Sequence, residues 1–306
     1  MPEYKHTGPV ECDVAIDTRK IKDKTAIVTG GANGIGEAYA RALVAAGVNV
    51  VIGDLDSANG QKLESELPGL KFMTCDTTNW DDQARLFKAA AMFSPTGKIS
   101  YVVANAGIIR LDEVFTQDVA SDEPKEPDLK TIDVNIKGTL FTAKLAAHYF
   151  VKQNGTTPSP DQEDTCLVLI GSGAALLDCL RIPQYCATKW AMRGIMHALR
   201  RTAFYYGSRV NVIMPWYVKT NILSQKDWDA VSAVGVEFAE AVDAGKCLLR
   251  ILSDPEVNGH SFFLAARKWA ACGFMDLDLD DYKDPLLQEI QEDQIKATPV
   301  SAGLFA

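Results

Sequence analysis

The sequence predicts an α/β fold: one doubly wound parallel sheet with helices on both faces. Two observations support this. Short apolar runs alternate with amphipathic stretches along the chain, from TAIVT at 25–29 to VNGHSFFLA at 257–265. The first run leads straight into the glycine-rich TGGANGIG at 29–36, and a helical pattern follows at once. Strands separated by helices of roughly 10 to 15 residues favour right-handed crossovers and a parallel sheet.

Composition and charge narrow the class of protein. A net charge of -9 argues against a nucleic-acid-binding surface, which needs a clustered basic face. The seven cysteines lack any Cys-x-x-Cys spacing, so they indicate reduced thiols and neither a disulfide framework nor a metal site. The first residues carry no apolar core typical of a signal peptide, and no run of about 18 apolar residues occurs. We therefore expect a cytoplasmic protein with no membrane and no nucleic-acid partner.

The chain divides into three predicted parts. Residues 1–20 are polar and show no period, which predicts a mobile or loosely packed arm. Residues 21–265 carry the alternating pattern and form the predicted dinucleotide-binding catalytic domain. Residues 266–306 form a C-terminal extension, in which the acidic run at 276–284 is interpreted as a solvated tail.

The first turn of this pattern has the composition of an anion site. Gly30, Gly34 and Gly36 remove side chains where the chain bends sharply and a pyrophosphate must approach the backbone. Asn33 and Ile35 complete the predicted cofactor loop. The alternative is a plain tight turn. The strand before, the helix after and an acid at the end of the next strand favour a Rossmann-type nucleotide site.

That acid is Asp54, 24 residues beyond Gly30. At this distance a carboxylate reaches the adenosine ribose hydroxyls and repels a 2′-phosphate. Neither the glycine loop nor the residues after Asp54 contribute Arg or Lys, so NAD is preferred to NADP. Asp54 could instead cap the next helix, a role open equally to Asp56.

Further polar residues follow the next strands, at the sheet edge where ligands bind. Asp76 could accept a hydrogen bond from the adenine amino group, with Thr77 beside it. Asn105, Ala106 and Gly107 are expected to brace the sheet and let the chain pass close to the cofactor.

Tyr185 and Lys189 stand four residues apart at the start of a predicted helix, so their side chains share one face. A nearby ammonium would lower the pKa of the phenol and let it exchange a proton with an alcohol or ketone. Ser172, thirteen residues before Tyr185, could reach the same substrate oxygen. Considered alone, the Tyr-x-x-x-Lys pair could be an ordinary exposed pair.

Taken together, these motifs resemble the short-chain dehydrogenase/reductase family over roughly residues 22–265. They occur in the family's order: TGGANGIG at 29–36, NAG at 105–107, NIKG at 135–138, Ser172, YCATK at 185–189 and MPWYVKT at 214–220. The finer pattern is similar to the NAD-dependent hydroxyprostaglandin dehydrogenase-like branch.

The resemblance implies roles for several residues. Ser172, Tyr185 and Lys189 become catalytic residues. Asn135 would kink its helix and hold a water beside the lysine as a proton exit; alternatively it is a satisfied core amide. The resemblance also implies nicotinamide contacts from Pro215, Val218 and Thr220, and a homodimer or homotetramer.

Trp216 is the clearest departure, because the family usually has Gly after this Pro. Its ring could wall a pocket or simply pack against the next loop. Residues 221–240 are typical of a mobile substrate lid. The predicted substrate pocket consists of Trp216, Tyr217, Ile222, Trp228 and Phe238.

The leading hypothesis is NAD-dependent interconversion of a secondary alcohol and its ketone on a bulky lipophilic substrate, in the oxidative direction. The alternatives are an NADPH-dependent ketone reductase and a non-redox dinucleotide-binding module. A cofactor-assisted cyclisation or isomerisation also stays open.

Overall fold

Eight strands form one sheet in the computed structural model, which describes residues 4–5, 8–110, 112–115, 120–278 and 284–302. The strand order is β3-β2-β1-β4-β5-β6-β7-β8, parallel except for β8. The strands are β1 Thr25–Thr29, β2 Asn49–Asp54, β3 Leu70–Thr74, β4 Tyr101–Ala104, β5 Thr165–Ile170, β6 Ser208–Pro215, β7 Ser261–Leu264 and β8 Phe274–Asp276. The predicted doubly wound fold is confirmed.

Helices connect the parallel strands. They are α1 Gly34–Ala45, α2 Ser57–Glu66, α3 Trp80–Phe93, α4 Lys130–Ile132, α5 Thr139–Asn154, α6 Pro183–Leu199, α7 Gln225–Ala233, α8 Ala241–Ser253 and, near the C-terminus, α9 Pro285–Ala297. A π-helical turn, Asp133–Gly138, joins α4 to α5.

The core lies in two layers, one on each face of the sheet. Because side chains alternate along a strand, Val28 of β1 lies in one core layer with Leu43 of α1 and Leu248 of α8, whereas Ile27 lies in the other layer with Phe87 of α3 and Met192 of α6. All strand residues of β1, β5 and β6 are buried, as expected for central strands covered on both faces.

The strand order reverses at β1 and β4, which are direct neighbours with Ile27 paired to Val102. Chain connections leave these two strands in opposite directions, which opens a crevice at their carboxyl ends. The glycine turn at 30–36 and the NAG segment at 105–107 both follow these strand ends.

The N-terminal arm corrects the prediction of a loosely packed segment. The Tyr4 ring lies under the Arg200 guanidinium, 4.3 Å from ring centroid to Cζ. Val10 N donates to Asp276 Oδ2 at 3.0 Å, and Cys12 is buried in the core. The described part of the arm is therefore packed against the far edge of the sheet.

The C-terminal extension also differs from the prediction. The sheet continues past residue 265, because β8 pairs antiparallel with β7 through Phe263 and Met275. Two acids of the expected solvated tail are buried: Asp276 bonds His260 at 2.7 Å and Asp278 bonds Arg193 at 2.7 Å. The hydrogen bonds from these partners offset the cost of burying the two carboxylates. Residues 279–283 of the run lie outside the described residues.

These partners control the ionisation of Asp278. Burial by itself would raise the pKa of this carboxyl, but hydrogen bonds from His197 and Arg193 lower it to about 2. Since Arg193 belongs to α6, the C-terminal segment is tied to the helix that carries Tyr185.

Candidate active site

A cleft of about 780 Å³ opens at the carboxyl ends of the central strands. This volume is in the range of ligand-binding pockets. Most predicted site residues line it: Gly30, Asn33, Gly34, Ile35, Gly36, Asp54, Asp76, Thr77, Asn105, Ala106, Gly107, Ser172, Tyr185, Lys189, Pro215, Trp216, Tyr217, Val218, Thr220, Ile222 and Trp228. Asn135 and Phe238 are the two that do not.

The glycine turn is held by close contacts of the chain with itself. A Cβ on Gly36 would overlap the Gly30 carbonyl oxygen, and Gly30 has a positive φ of +63°. The Asn105 amide, which was expected to brace the sheet, donates to the carbonyl oxygens of Thr29 and Gly30 at 2.9 and 2.8 Å and so holds the end of β1 and the glycine turn. The turn is tight and also presents the N-terminus of α1 to the cleft.

Asp54 and Asp56 have separate roles. Asp56 caps α2 by accepting a hydrogen bond from Asn59 N at 3.1 Å, so the capping role proposed as an alternative for Asp54 belongs to its neighbour. Asp54 accepts from Ala32 N at 2.9 Å and from Asp56 N at 3.0 Å. It therefore joins the glycine turn to the end of β2 at the edge of the cleft.

Asp76 follows β3, the strand next to β2, and is held there by hydrogen bonds. Its Oδ1 accepts hydrogen bonds from Thr78 N at 2.8 Å and from the Thr78 hydroxyl at 2.7 Å. Burial opposes ionisation, but these hydrogen bonds and the nearby charges of Lys130 and Lys137 together lower the pKa of Asp76. An ionised acceptor thus stands where the adenine contact is predicted.

Tyr185, Lys189 and Ser172 converge as predicted. Lys189 Nζ lies 5.5 Å from the centroid of the Tyr185 ring and donates to the Ile170 carbonyl oxygen at 3.0 Å. The Ser172 hydroxyl accepts from Ala174 N at 3.2 Å, which orients it at the end of β5. Tyr185 and Lys189 are therefore not an ordinary exposed pair.

The electrostatics of the pair correct one expectation. Burial raises the pKa of Tyr185, and a hydrogen bond with Ser172 opposes this shift without reversing it. Burial also lowers the pKa of Lys189 to about 8. Desolvation of the phenol therefore outweighs the lowering that the ammonium was expected to cause.

Asn135 lies in the π-helical turn, so the helix is irregular at the residue where the resemblance implied a kink. Its Oδ1 accepts from Ile108 N at 2.8 Å, and its Nδ2 donates to Ile108 O at 2.9 Å and to the Thr188 hydroxyl at 3.1 Å. A Cβ on Gly107 would lie 3.3 Å from Asn135 Oδ1 and 3.4 Å from Lys189 Nζ. Asn135 is thus a satisfied amide standing behind the lysine.

Trp216 takes both of the roles considered for it. Its Nε1 donates to Glu237 O at 3.0 Å, and its ring packs edge-on to Trp269 at 5.3 Å. It also lines the cleft, so the indole is a fixed wall.

Phe238 corrects the predicted pocket. Its ring packs edge-on to Trp228 at 5.7 Å, with Lys219 Nζ 4.8 Å away, and it does not reach the cleft. Trp228 lines the cleft and is anchored by an Nε1 hydrogen bond to Thr220 O at 2.9 Å. Phe238 therefore supports the wall from behind. The predicted lid contains helix α7, which begins with a capping box at Ser224.

Several cleft residues were missed by the sequence reasoning. Cys179 and Ile182 lie in the loop between Ser172 and Tyr185, and that position in the chain could have indicated them. Arg110 follows the NAG motif closely and could have been found in the same way. Gln184 and Asp112 lie outside the cleft lining and contact each other from positions 72 residues apart, a pairing without any signal in the sequence.

These residues fit a dinucleotide. The cleft is lined by the glycine turn at a helix N-terminus, by Asp54 at the end of β2 and by Ser172, Tyr185 and Lys189. Within the described ranges, we find no group of three His, Cys, Asp or Glu side chains able to hold a metal. Across the same ranges, every helix is too short or too polar to span a membrane.

Comparisons with known proteins agree with this geometry. Residues 24–230 match a family model described as short chain dehydrogenase. The chain is 29% identical over 267 residues to 5'-hydroxyaverantin dehydrogenase of Emericella nidulans, covering 81% of this chain and 86% of that protein. It is 30% identical to 5'-hydroxyaverantin dehydrogenase of Dothistroma septosporum, with 74% and 77% covered. An NADP-dependent dehydrogenase of Cochliobolus lunatus is 29% identical, with 83% and 92% covered.

Solved structures show the same fold. A 3-ketoacyl-(acyl-carrier-protein) reductase from Brucella melitensis, complexed with NADH, superposes with a TM-score of 0.67 at 22% identity, covering 80% of this chain and 97% of that chain. A short chain dehydrogenase/reductase family protein superposes with a TM-score of 0.64 at 27% identity, covering 80% and 96%.

Proposed function

The chain belongs to the short-chain dehydrogenase/reductase family and is an NAD(P)-dependent oxidoreductase acting on CH–OH groups; from this premise we propose that it oxidises a secondary alcohol of a bulky lipophilic substrate to the ketone, using NAD. The observation that carries the proposal is the convergence of Tyr185, Lys189 and Ser172 on one cleft with an aromatic wall. The finer resemblance to hydroxyprostaglandin dehydrogenases stays a prediction.

The proposed chemistry divides between the cofactor and the side chains. Bound NAD would supply the hydride acceptor for oxidation at the carbinol carbon. Tyr185 acts as general base and takes the hydroxyl proton, while Ser172 hydrogen-bonds the same substrate oxygen. Lys189 donates to Ile170 O with one of its three N–H groups. The other two N–H groups can hydrogen-bond a cofactor hydroxyl, and the positive charge would lower the proton affinity of the phenol.

Asn135 would support this proton transfer from behind the lysine. The Asn135 side chain is hydrogen-bonded to Ile108 and Thr188, so it fixes the segments that carry these two residues. The proton would leave the site between these segments. We propose that Asn135 positions this exit.

An aromatic wall supports the choice of a lipophilic substrate. Trp216, Tyr217 and Trp228 line one side of the cleft, and the indole N–H groups of both tryptophans are bonded to backbone carbonyls. These rings consequently present apolar faces with their polar atoms already satisfied, which favours flat or bulky hydrophobic molecules over sugars. Two of the relatives are named dehydrogenases of a hydroxylated compound, which supports the oxidative direction.

A panel of hydrophobic secondary alcohols tests the function. The protein is incubated with NAD and each alcohol, and NADH formation is followed by absorbance. Turnover of bulky apolar alcohols in preference to sugars supports the proposal. NAD binding without turnover across the whole panel would instead favour a non-redox dinucleotide-binding module.

Asp54 supports NAD over NADP, because its carboxylate stands at the cleft edge and would repel a 2′-phosphate. The rival is an NADPH-dependent ketone reductase, favoured by the NADP-dependent relative. In Asp54→Ser we expect the ratio of kcat/KM for NAD to that for NADP to fall by about 10- to 100-fold, the equivalent of one charged hydrogen bond.

Steady-state kinetics with both cofactors measure this ratio. Asp56→Ser is the matched control, since Ser also caps a helix and Asp56 does not line the cleft. A ratio unchanged in Asp54→Ser, or a parent enzyme that prefers NADPH, would rule out the proposed role of Asp54.

A further inference from the structure

Helix α6, which carries Tyr185 and Lys189, begins without a cap of its own. The residue before it, Ile182, has no side chain that can accept a hydrogen bond, and Pro183 at the first position has no N–H. The first helical N–H that needs a partner is that of Gln184, directly before Tyr185. An uncapped amide at this position would leave the catalytic turn free to fray.

A carboxylate from another part of the chain fills this position. Asp112 Oδ2 accepts a hydrogen bond from Gln184 N at 2.6 Å, across 72 residues of sequence. Its Oδ1 accepts from Val114 N at 3.0 Å, so the two oxygens hold one backbone amide each. Asp112 is only 7% exposed, and a negative charge at a helix N-terminus is stabilised by the helix dipole.

Two further contacts fasten the same loop to α6. The Gln184 side chain donates to Asp128 O at 3.1 Å, near the end of the loop. At the start of the loop, Asn135 joins Ile108 to Thr188 of α6. The loop after β4 is therefore held at both ends, and Asp112 makes the contact next to Tyr185.

We propose that Asp112 is a positioning residue for Tyr185: its buried carboxylate caps α6 from the loop after β4 and sets the orientation of the phenol in the cleft. This inference rests on the proposed role of Tyr185 as the general base. Asp112 itself is absent from the lining of the cleft, which includes the glycine turn and Asp54. Its loss should thus lower the rate of the chemical step and leave cofactor binding intact.

Asp112→Ala and Asp112→Asn test this role, with Glu113→Gln as the control. Glu113 is the exposed carboxylate next in the same loop. We expect kcat of Asp112→Ala to fall by about tenfold or more, since small displacements of a catalytic group are costly. Asn keeps one acceptor for Gln184 N, so Asp112→Asn should lose roughly threefold, and Glu113→Gln less than about twofold.

Equilibrium titration with NAD, read by tryptophan fluorescence, gives the fraction of protein that binds cofactor. For a positioning role, the NAD dissociation constant and the number of sites stay within about twofold of the parent while kcat per site falls. A kcat of Asp112→Ala within twofold of the parent overturns the inference. A loss explained entirely by fewer NAD sites, or two variants that both fail to fold, also overturns it, because Asp112 would then serve folding alone.

Tyr185→Phe separates this inference from the proposed function. If Tyr185→Phe retains full turnover, the general-base proposal fails. If Tyr185→Phe is inactive and both Asp112 variants are as active as the parent, only the positioning role fails.

Discussion

Tyr185→Phe is expected to lower kcat for alcohol oxidation by about 10³-fold, within the range that positioned acid–base groups contribute. The substitution removes only the hydroxyl, so the ring continues to fill its place beside Lys189. Burial raises the pKa of Tyr185. In the parent, kcat should consequently rise with pH as the phenol ionises, and this dependence should be absent from the residual rate of Tyr185→Phe.

The rate is measured as NADH absorbance over a range of pH, and NAD affinity by fluorescence titration. Tyr149→Phe is the matched control, because Tyr149 lies on α5 and packs against Phe87 at 5.6 Å, away from the cleft. We expect the control to match the parent and Tyr185→Phe to bind NAD normally. Undiminished turnover in Tyr185→Phe would mean that another group takes the proton.

Lys189→Met is expected to change activity and stability in opposite directions. Loss of the ammonium should lower kcat by about 100-fold, because it removes a positive charge that favours the phenolate and methionine cannot replace that charge. Burial lowers the pKa of Lys189 from 10.5 to about 8, so the folded state holds the charged form at a cost. This cost is at most about 3 kcal/mol. Lys189→Met also leaves the Ile170 carbonyl without its hydrogen-bond donor, which lowers the stability of the variant by about 1 kcal/mol.

The pH dependence of this stability difference follows from the two pKa values. Below pH 8 the lysine is protonated in both the folded and unfolded states, and the full cost of burying the charge is present. Between pH 8 and 10.5 the folded state binds fewer protons, so the free energy of unfolding of the parent rises with pH. Lys189→Met should therefore be more stable than the parent below pH 8, by about 1–2 kcal/mol, and lose this advantage by pH 10.5.

Urea unfolding at several pH values measures this difference in the free energy of unfolding. Lys152→Met, at an exposed site on α5, is the control and should leave kcat and stability unchanged within about 0.5 kcal/mol. A Lys189→Met protein less stable than the parent at pH 7 would show that the lysine is not buried at a cost.

The parallel strands were well predicted from sequence, and so was the placement of the glycine turn and Asp54 along the cleft. A fully buried strand needs a short continuous apolar run, so β1 at 25–29 and β5 at 165–170 were evident in the local composition. The glycines of the first turn and Asp54 occupy positions within a single βαβ unit. Their contacts are local enough for spacing alone to indicate them.

The predictions that failed concern contacts between distant segments. Residues 1–20 and 276–284 are polar, and each segment considered by itself has no apolar face to bury. Only together with α6 and β7 do Asp276 and Asp278 find His260 and Arg193. Phe238 was assigned to the pocket by composition, whereas its direction depends on how the segment after α7 returns to Trp228.

The sequence by itself determined the fold class and the positions of the glycine turn, of Asp54 at the end of β2 and of Tyr185, Lys189 and Ser172, because each is specified by residues close together in the chain. Tertiary structure alone decided that Asp112 caps α6, that Trp216 is a fixed wall and that Asp278 is buried. Each of these depends on hydrogen bonds between segments far apart in the chain and on the burial that these segments cause. The spacing of residues in the sequence does not indicate such contacts.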